Sequence, residues 1–294
     1  MNKRIRTSII ITPILLLSLA SSVFTFLLVL TLIFFIVLET NLMLTDEKRK
    51  LRIILFFFFL VPLYLIIIEW VEYSAIINSI LHLIALVTGI LLIIIGITNK
   101  DENISDRPQF SYLEGRRFSE FLLRESSTLF FITGAASILL LYESFSDLKW
   151  IIFPILTVSV VDSTSYFIGS KFGKSKINFL LKLSPNKSME GYISGYAAGI
   201  LFYLFINLIF NSLITEFYIN FILALFIPFL AIIGDLYASG IKRNFGVKDF
   251  GLILPGHGGI LDRLDSIVIT LTLLSLVKAL AWKKEFLFLA QQVL

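Results

Sequence analysis

Apolar residues in this chain come in long unbroken blocks, and polar residues collect in the gaps between them. Blocks of roughly twenty apolar residues are long enough to cross a bilayer as helices. They place spans near Ser8–Ala20, Ser22–Leu38, Ile53–Ile68, Ala75–Ile97, Ser126–Tyr142, Trp150–Ile168, Ile193–Ile209, Tyr218–Ile233 and Leu264–Leu280. The fold class is therefore all-α, a polytopic transmembrane helical bundle of about nine helices. The first block is short for a full span, and Ser21-Ser22 divides it from the second. One long tilted helix is the alternative, and it would reverse the sidedness of everything after it. Basic Met1–Arg6, the apolar run behind it and Ser18-Leu19-Ala20 have the outline of a cleavable leader. A second apolar run follows at once, which favours a retained first hairpin. Thr98–Glu125, the longest polar stretch, reads as a surface helix or loop.

Composition agrees with the pattern: 57% of residues are hydrophobic and 16% charged. The chain has no cysteine, so disulfides, thiolate metal sites and cysteine nucleophiles are excluded. A net charge of +4 would suggest nucleic acid in a soluble chain. Here the excess follows membrane topology instead, and no nucleic-acid partner is expected. With the N-terminus in the cytoplasm, every Lys and Arg except Lys149, Lys278, Lys283 and Lys284 falls on a cytoplasmic segment. Residues 1–142 carry few intramembrane charges and read as scaffold helices. Residues 143–294 read as the catalytic region, with its site at the cytoplasmic face of the cell's inner membrane.

Charge is densest between the last two spans. Gly234 to Ser266 holds Asp235, Asp249, Asp262 and Asp265 together with Lys242, Arg243, Lys248, Arg263 and His257. Charges at a membrane edge are costly unless they pair or serve a site. If the eighth helix continues past the membrane, Asp235, Ser239 and Lys242 share one of its faces. Asp262, Asp265 and Ser266 share a face where the ninth begins. Two such helix ends would bring Asp235 and Asp262 to one metal, and carboxylates with retained waters suit Mg²⁺. Pro255-Gly256-His257-Gly258-Gly259 lets backbone amides approach phosphate oxygens. The bland alternative is a loop whose charges pair only with one another.

Two further segments qualify. In Asp162 to Lys174, Asp162 lies within an apolar span, so it should face the bundle interior and have a partner, such as Ser165 or Thr164. Ser184-Pro185-Asn186-Lys187-Ser188-Met189-Glu190-Gly191 reads as a loop in which Ser188 caps the next helix. Ser165, Gly169 and Gly173 read as one close-packing row, and Gly191, Gly195 and Gly199 as another. His82 reads as a hydrogen-bonded packing residue, and Glu69-Trp70-Val71-Glu72 as an interfacial belt.

Ser239-x-Ile241-Lys242-Arg243, Lys248-Asp249, Pro255, His257-Gly258-Gly259, Asp262-Arg263 and Asp265 resemble the signature of the phosphatidate cytidylyltransferase (CDP-diacylglycerol synthase) family. Asp162 with Gly169-x-Lys171-x-Gly173-Lys174, and the Ser184–Gly191 segment, are similar to that family too. Asn186 departs from it, since a basic residue is common there. The resemblance is strong over the C-terminal half, and the N-terminal half matches only as apolar helices. It implies transfer of the cytidylyl group of CTP to phosphatidate, giving CDP-diacylglycerol and pyrophosphate, with Mg²⁺ as cofactor and a homodimer as the assembly. It implies metal binding by Asp235 and Asp262. Catalytic roles fall to Lys242, Arg243, Lys248, Asp249, His257 and Arg263. Substrate binding falls to Asp162, Lys171, Lys174, Ser184, Lys187, Ser239, Gly258, Gly259 and Asp265.

The chemistry of such a site is consistent with its composition. A phosphate monoester is largely ionised near neutral pH, so it needs charge neutralisation more than a base. His257 then serves as a hydrogen-bond partner to phosphate or leaving group rather than as the base. Rival readings are a CTP-dependent polyprenol or lipid-alcohol kinase, which would need a base more acutely, and an ion-coupled transporter using Asp162 and Asp235.

Overall fold

The computed structural model describes residues 17, 19–41, 74–101, 109–144, 148–175, 183–184, 187–210, 217–251, 253–254 and 258–277. Long helices account for most of them: α1 (Ser22–Asn41), α2 (Ser74–Asp101), α3 (Gln109–Ser144), α4 (Lys149–Phe172), α5 (Met189–Ile209) and α6 (Phe217–Asn244). A single turn, α7 (Leu261–Leu264), and the shorter apolar α8 (Ile267–Val277) follow. Each of α1 to α6 contains a stretch long and apolar enough to cross a membrane. The chain is an all-helical integral membrane protein. Six spans, not nine, are present among the described residues. The expected span at Ile53–Ile68 and nearly all of the one at Ser8–Ala20 lie outside them, as does Glu69–Glu72.

The break before α1 falls where the sequence placed it. Ala20 N–H bonds back to Leu17 C=O, and the Ser21 hydroxyl accepts the Phe24 N–H at 3.3 Å as a helix cap. A single helix running through Ser21 is thereby ruled out. Of the polar stretch Thr98–Glu125, the described residues belong to two long helices: those up to Asp101 end α2, and from Gln109 the stretch runs unbroken into α3.

α3 is the central helix. Its Ser119–Tyr142 span is mostly buried, while each of the other five buries well under half. It is also the least apolar of the six. The two facts belong together, because a helix enclosed by protein can carry Ser126, Ser127, Thr128, Thr133 and Ser137, all buried, where lipid-facing helices cannot. The Ser127, Thr128, Thr133 and Ser137 hydroxyls bond to carbonyls one turn back, which satisfies them inside the helix. α1, α2, α4 and α6 pack around α3.

The most extensive packing joins α4 and α5. A Cβ on Gly191 would lie 2.7 Å from the Ser165 carbonyl oxygen, and one on Gly195 2.7 Å from that of Val161. The glycine row of α5 thus lies on the backbone of α4, as the small-residue pattern predicts. Gly199 extends the row toward Pro228 of α6. Together these contacts set the C-terminal end of α4 beside the N-terminal end of α5 and the C-terminal end of α6.

The ninth predicted helix is interrupted. α7 stops at Leu264, Asp265–Ser266 form a turn, and α8 begins at Ile267. The Asp265 carboxylate accepts the Ser266 N–H at 2.8 Å, a local bond that competes with the helical ladder. Gly234 permits the close approach here, with its missing side chain 3.1 Å from the Ser266 Cα.

Candidate functional site

Charged side chains from α4, α5, α6 and α7 gather at one end of the bundle. α6 carries the first set, and it remains helical to Asn244, eleven residues beyond the expected Ile233, so Asp235, Ser239 and Lys242 ride on one continuous helix. Asp235 meets Lys187 from the turn before α5, with Nζ 2.6 Å from Oδ2. Lys242 meets Asp262 of α7, with Nζ 2.8 Å from Oδ1. Two lysine–aspartate pairs therefore tie α6 to the loops on either side.

Asp262 is the more tightly held acid. Its Oδ2 accepts the Phe250 N–H at 2.9 Å and the Gly259 N–H at 3.0 Å. A carboxylate oxygen has room for about two donors, so Oδ2 is filled and one position remains on Oδ1 beside Lys242. On Asp235 the lysine takes Oδ2 and leaves Oδ1 open. Asp162, Asp235 and Asp265 are close enough to act on one another's charge, as Lys187 and Arg263 are on Asp162 and Lys242 is on Asp265. Burial by itself would lower the pKa of Lys187, but Asp235 and Asp162 outweigh it and hold the ammonium above its ordinary range. Lys187 also lies 5.7 Å from the centre of the Tyr192 ring, and Lys242 5.3 Å from that of Phe250.

The remaining site residues fall around these pairs. Ser239 and Ser184 are buried beside them, and Asp265 is buried in the turn after α7. Arg243 directs Nε to the Leu183 carbonyl at 3.3 Å and Nη1 to that of Val247, tying two loops together. Lys248, Asp249 and Arg263 are exposed at the rim. Asp249 lies near Gly258, where its Oδ1 would be 3.8 Å from an added Cβ. Lys171 and Lys174 are exposed at the end of α4. His257 lies outside the described residues.

Two expectations need correction, and two others hold. Asp162 does not face the packed interior: it is exposed in a charged recess beside Lys187, and no Ser165 or Thr164 bond satisfies it. The amides of Gly258 and Gly259 are occupied within the loop, the first by the Leu254 carbonyl and the second by Asp262. Ser188, by contrast, caps α5 as read, accepting the Gly191 N–H at 3.2 Å. His82 also packs as expected, with Nδ1 2.8 Å from the Thr133 hydroxyl and its ring stacked on Phe130.

Two acids had no role in the sequence reading: Glu39, which it did not name, and Glu190, which it quoted only within the Ser184–Gly191 segment. Glu190 accepts the Lys174 and Ser175 N–H groups and so fastens the end of α4 to the start of α5. Glu39, in the last turn of α1, accepts the Ile260 and Leu261 N–H groups at 2.8 Å each. Its signal was available: one carboxylate closing an otherwise apolar run is costly without a partner.

Among the described residues no three acids or histidines stand together as a ready-made metal cage. A Mg²⁺ ion does not require one, since it is commonly held by one or two carboxylates, waters and substrate phosphates. The open oxygens of Asp235 and Asp262 are donors of that kind.

A model of the cytidylyltransferase family matches residues 2–281. Over 138 residues, 47% of this chain and 52% of the relative, the sequence is 40% identical to a phosphatidate cytidylyltransferase of Staphylococcus saprophyticus. A protein of the same name from Staphylococcus epidermidis is 40% identical over 137 residues, covering 46% of this chain and 52% of the relative. One from Thermotoga maritima is 33% identical over 174 residues, covering 53% of this chain and 63% of the relative. The chain thus spans between about half and under two thirds of the length of these curated relatives.

Proposed function

The chain belongs to the cytidylyltransferase family, and from that premise we propose that it transfers the cytidylyl group of CTP to phosphatidate, giving CDP-diacylglycerol and pyrophosphate for phospholipid synthesis. The observation that carries this reading is the pair of lysine–aspartate bridges, Lys187–Asp235 and Lys242–Asp262, set about two turns apart on one face of α6 at one end of a membrane bundle. Cations and carboxylates in alternation suit a reaction between two polyanions.

In this reaction a phosphatidate oxygen attacks the α-phosphorus of CTP. A P–O bond forms there as the bond to the β-phosphate oxygen breaks, and its electron pair leaves with pyrophosphate. The nucleophile is already ionised, since a phosphate monoester has a second pKa of about 6. Lys187 and Lys242 supply positive charge along one face of α6, and Arg263 and Lys248 add it at the rim. These residues offset the repulsion between nucleophile and nucleotide and the charge that builds on the leaving group. Asp235 and Asp262 would hold Mg²⁺ through their open oxygens. When bound, that ion supplies further charge neutralisation and in-line alignment of the phosphates.

The family resemblance supports a homodimer, a site facing the cytoplasm where CTP is available, and a place in a bacterial cell membrane. The decisive experiment reconstitutes the protein with phosphatidate, Mg²⁺ and CTP labelled at either the α- or the γ-phosphate. Label entering lipid from the α position alone is the expected result. Label from γ alone would make the protein a lipid kinase, and label from neither, in folded protein, would move the reading to transport.

A further inference from the structure

Glu39 ends an N-terminal helix, yet its carboxylate lies 221 residues along the chain from one of its partners. Its Oε1 accepts the Ile260 N–H and its Oε2 the Leu261 N–H, each at 2.8 Å. The side chain is 0% exposed. Two glycines make the fit possible. A Cβ on Gly251 would lie 2.8 Å from Oε1, and a Cβ on Gly259 2.6 Å from Oε2. A buried carboxylate without donors would be strongly unfavourable, and here both oxygens are satisfied by backbone.

The two amides it holds lie at the start of α7, among the N–H groups a helix leaves without internal partners. They matter because Asp262 is the next residue along the chain, and its Oδ2 in turn holds the Gly259 N–H. The backbone from Gly259 to Leu261 is thus gripped from one side by Glu39 and from the other by Asp262 itself. Neither grip depends on side-chain packing that could slide.

We propose that Glu39 is a positioning residue of the transfer site: from α1 it fixes the Gly259–Leu261 backbone, and so sets the Asp262 carboxylate against Lys242. Its kinetic consequence rests on the cytidylyltransferase reading, and its structural half does not. Residues 1–142 then contribute one side chain to the site besides carrying it.

Glu39→Gln keeps the shape and one acceptor oxygen but turns an NH₂ group toward one of the two N–H donors. In the full chain in detergent, hydrogen exchange at Ile260 and Leu261 is expected to rise while the rest of the bundle stays protected. Cytidylyl transfer is expected to lose about ten- to a hundredfold in kcat, the usual cost of a lost supporting contact. KM for CTP should stay within about threefold, because the loss is in the transition state. Gly259→Ala attacks the same contact from its other side, so the double variant should be about as slow as the slower single one. Unchanged exchange at Ile260 and Leu261 would overturn the proposal. So would exchange raised throughout the bundle, or rate losses that multiply in the double variant. If the unaltered chain transfers nothing while exchange rises locally in the variant, the grip stands and the functional reading fails.

Discussion

At the scale of single residues the two lysines differ in setting. Lys187 is a third exposed, whereas Lys242 and Asp262 are both largely enclosed. Removing Lys187 leaves the less exposed Asp235 with its Oδ2 unpaired, so Lys187→Met should cost about 1–3 kcal/mol, read as a lower melting temperature in detergent. The pH dependence of that loss has a definite sign. The pKa of Lys187 is raised on folding, so its contribution is complete below the unfolded value of about 10.4 and disappears only as pH rises above it. The melting difference between Lys187→Met and the unaltered protein should therefore be flat from about pH 6 to 9. Asp262 and His257 should separate more sharply in the transfer assay. Asp262→Ala removes three hydrogen bonds and, on the proposed function, a Mg²⁺ ligand, and should lower the rate by about a hundred- to a thousandfold. His257→Gln should keep measurable activity, because the attacking phosphate needs no base. The opposite ranking would reverse these roles.

At the scale of elements, apolar runs locate membrane-crossing stretches better than they locate helix ends. α6 continues to Asn244 because nothing at Gly234–Arg243 breaks a helix, although the charges end its apolar run. Hydropathy reads the membrane edge, and hydrogen bonding decides the helix end. The reverse error occurs at Asp265–Ser266, where the helix expected over Leu264–Leu280 is interrupted because the Asp265 side chain takes a backbone donor. Spacing did give the packing faces of α4 and α5, since small residues four apart define a face without further information, and the structure joins the two faces in one interface. That interface yields a contrast. Gly195→Ala would place a Cβ 2.7 Å from the Val161 carbonyl oxygen, and neither helix can move without moving the site. A loss of about 1–3 kcal/mol is expected, seen as a lower melting temperature. Gly246→Ala meets nothing within 4 Å and is strained only by its φ of +70°, so it should cost about 1 kcal/mol.

At the scale of the whole molecule, long-range side-chain contacts join the scaffold to the site, and these are what the sequence could not display. Asn78 of α2 donates to the Thr133 carbonyl and the Ser137 hydroxyl of α3, and the Ser137 and Thr272 hydroxyls of α3 and α8 lie 3.0 Å apart. Such bonds inside a membrane bundle are worth about 0.6–2 kcal/mol. Asn78→Leu should lower the melting temperature accordingly while leaving transfer kinetics unchanged. A kinetic change would show that the network reaches the site. The site's residue types were legible because its motifs are local in sequence. Their pairing was not, since Lys187 with Asp235, Lys242 with Asp262 and Glu39 with the α7 backbone each depend on how the helices assemble.

The two lysine–aspartate bridges carry one more implication. Each of these two lysines is already paired with an acid of the same chain, so neither offers a free positive charge to a passing anion. On the proposed function, a nucleotide arriving alone would have to break a bridge and strand a carboxylate to gain a lysine. One arriving with a divalent ion would bring the carboxylate a new partner and free the lysine in the same event. The bridges would then work as a coincidence detector, admitting the metal–nucleotide pair while discouraging the abundant phosphates that arrive without a metal.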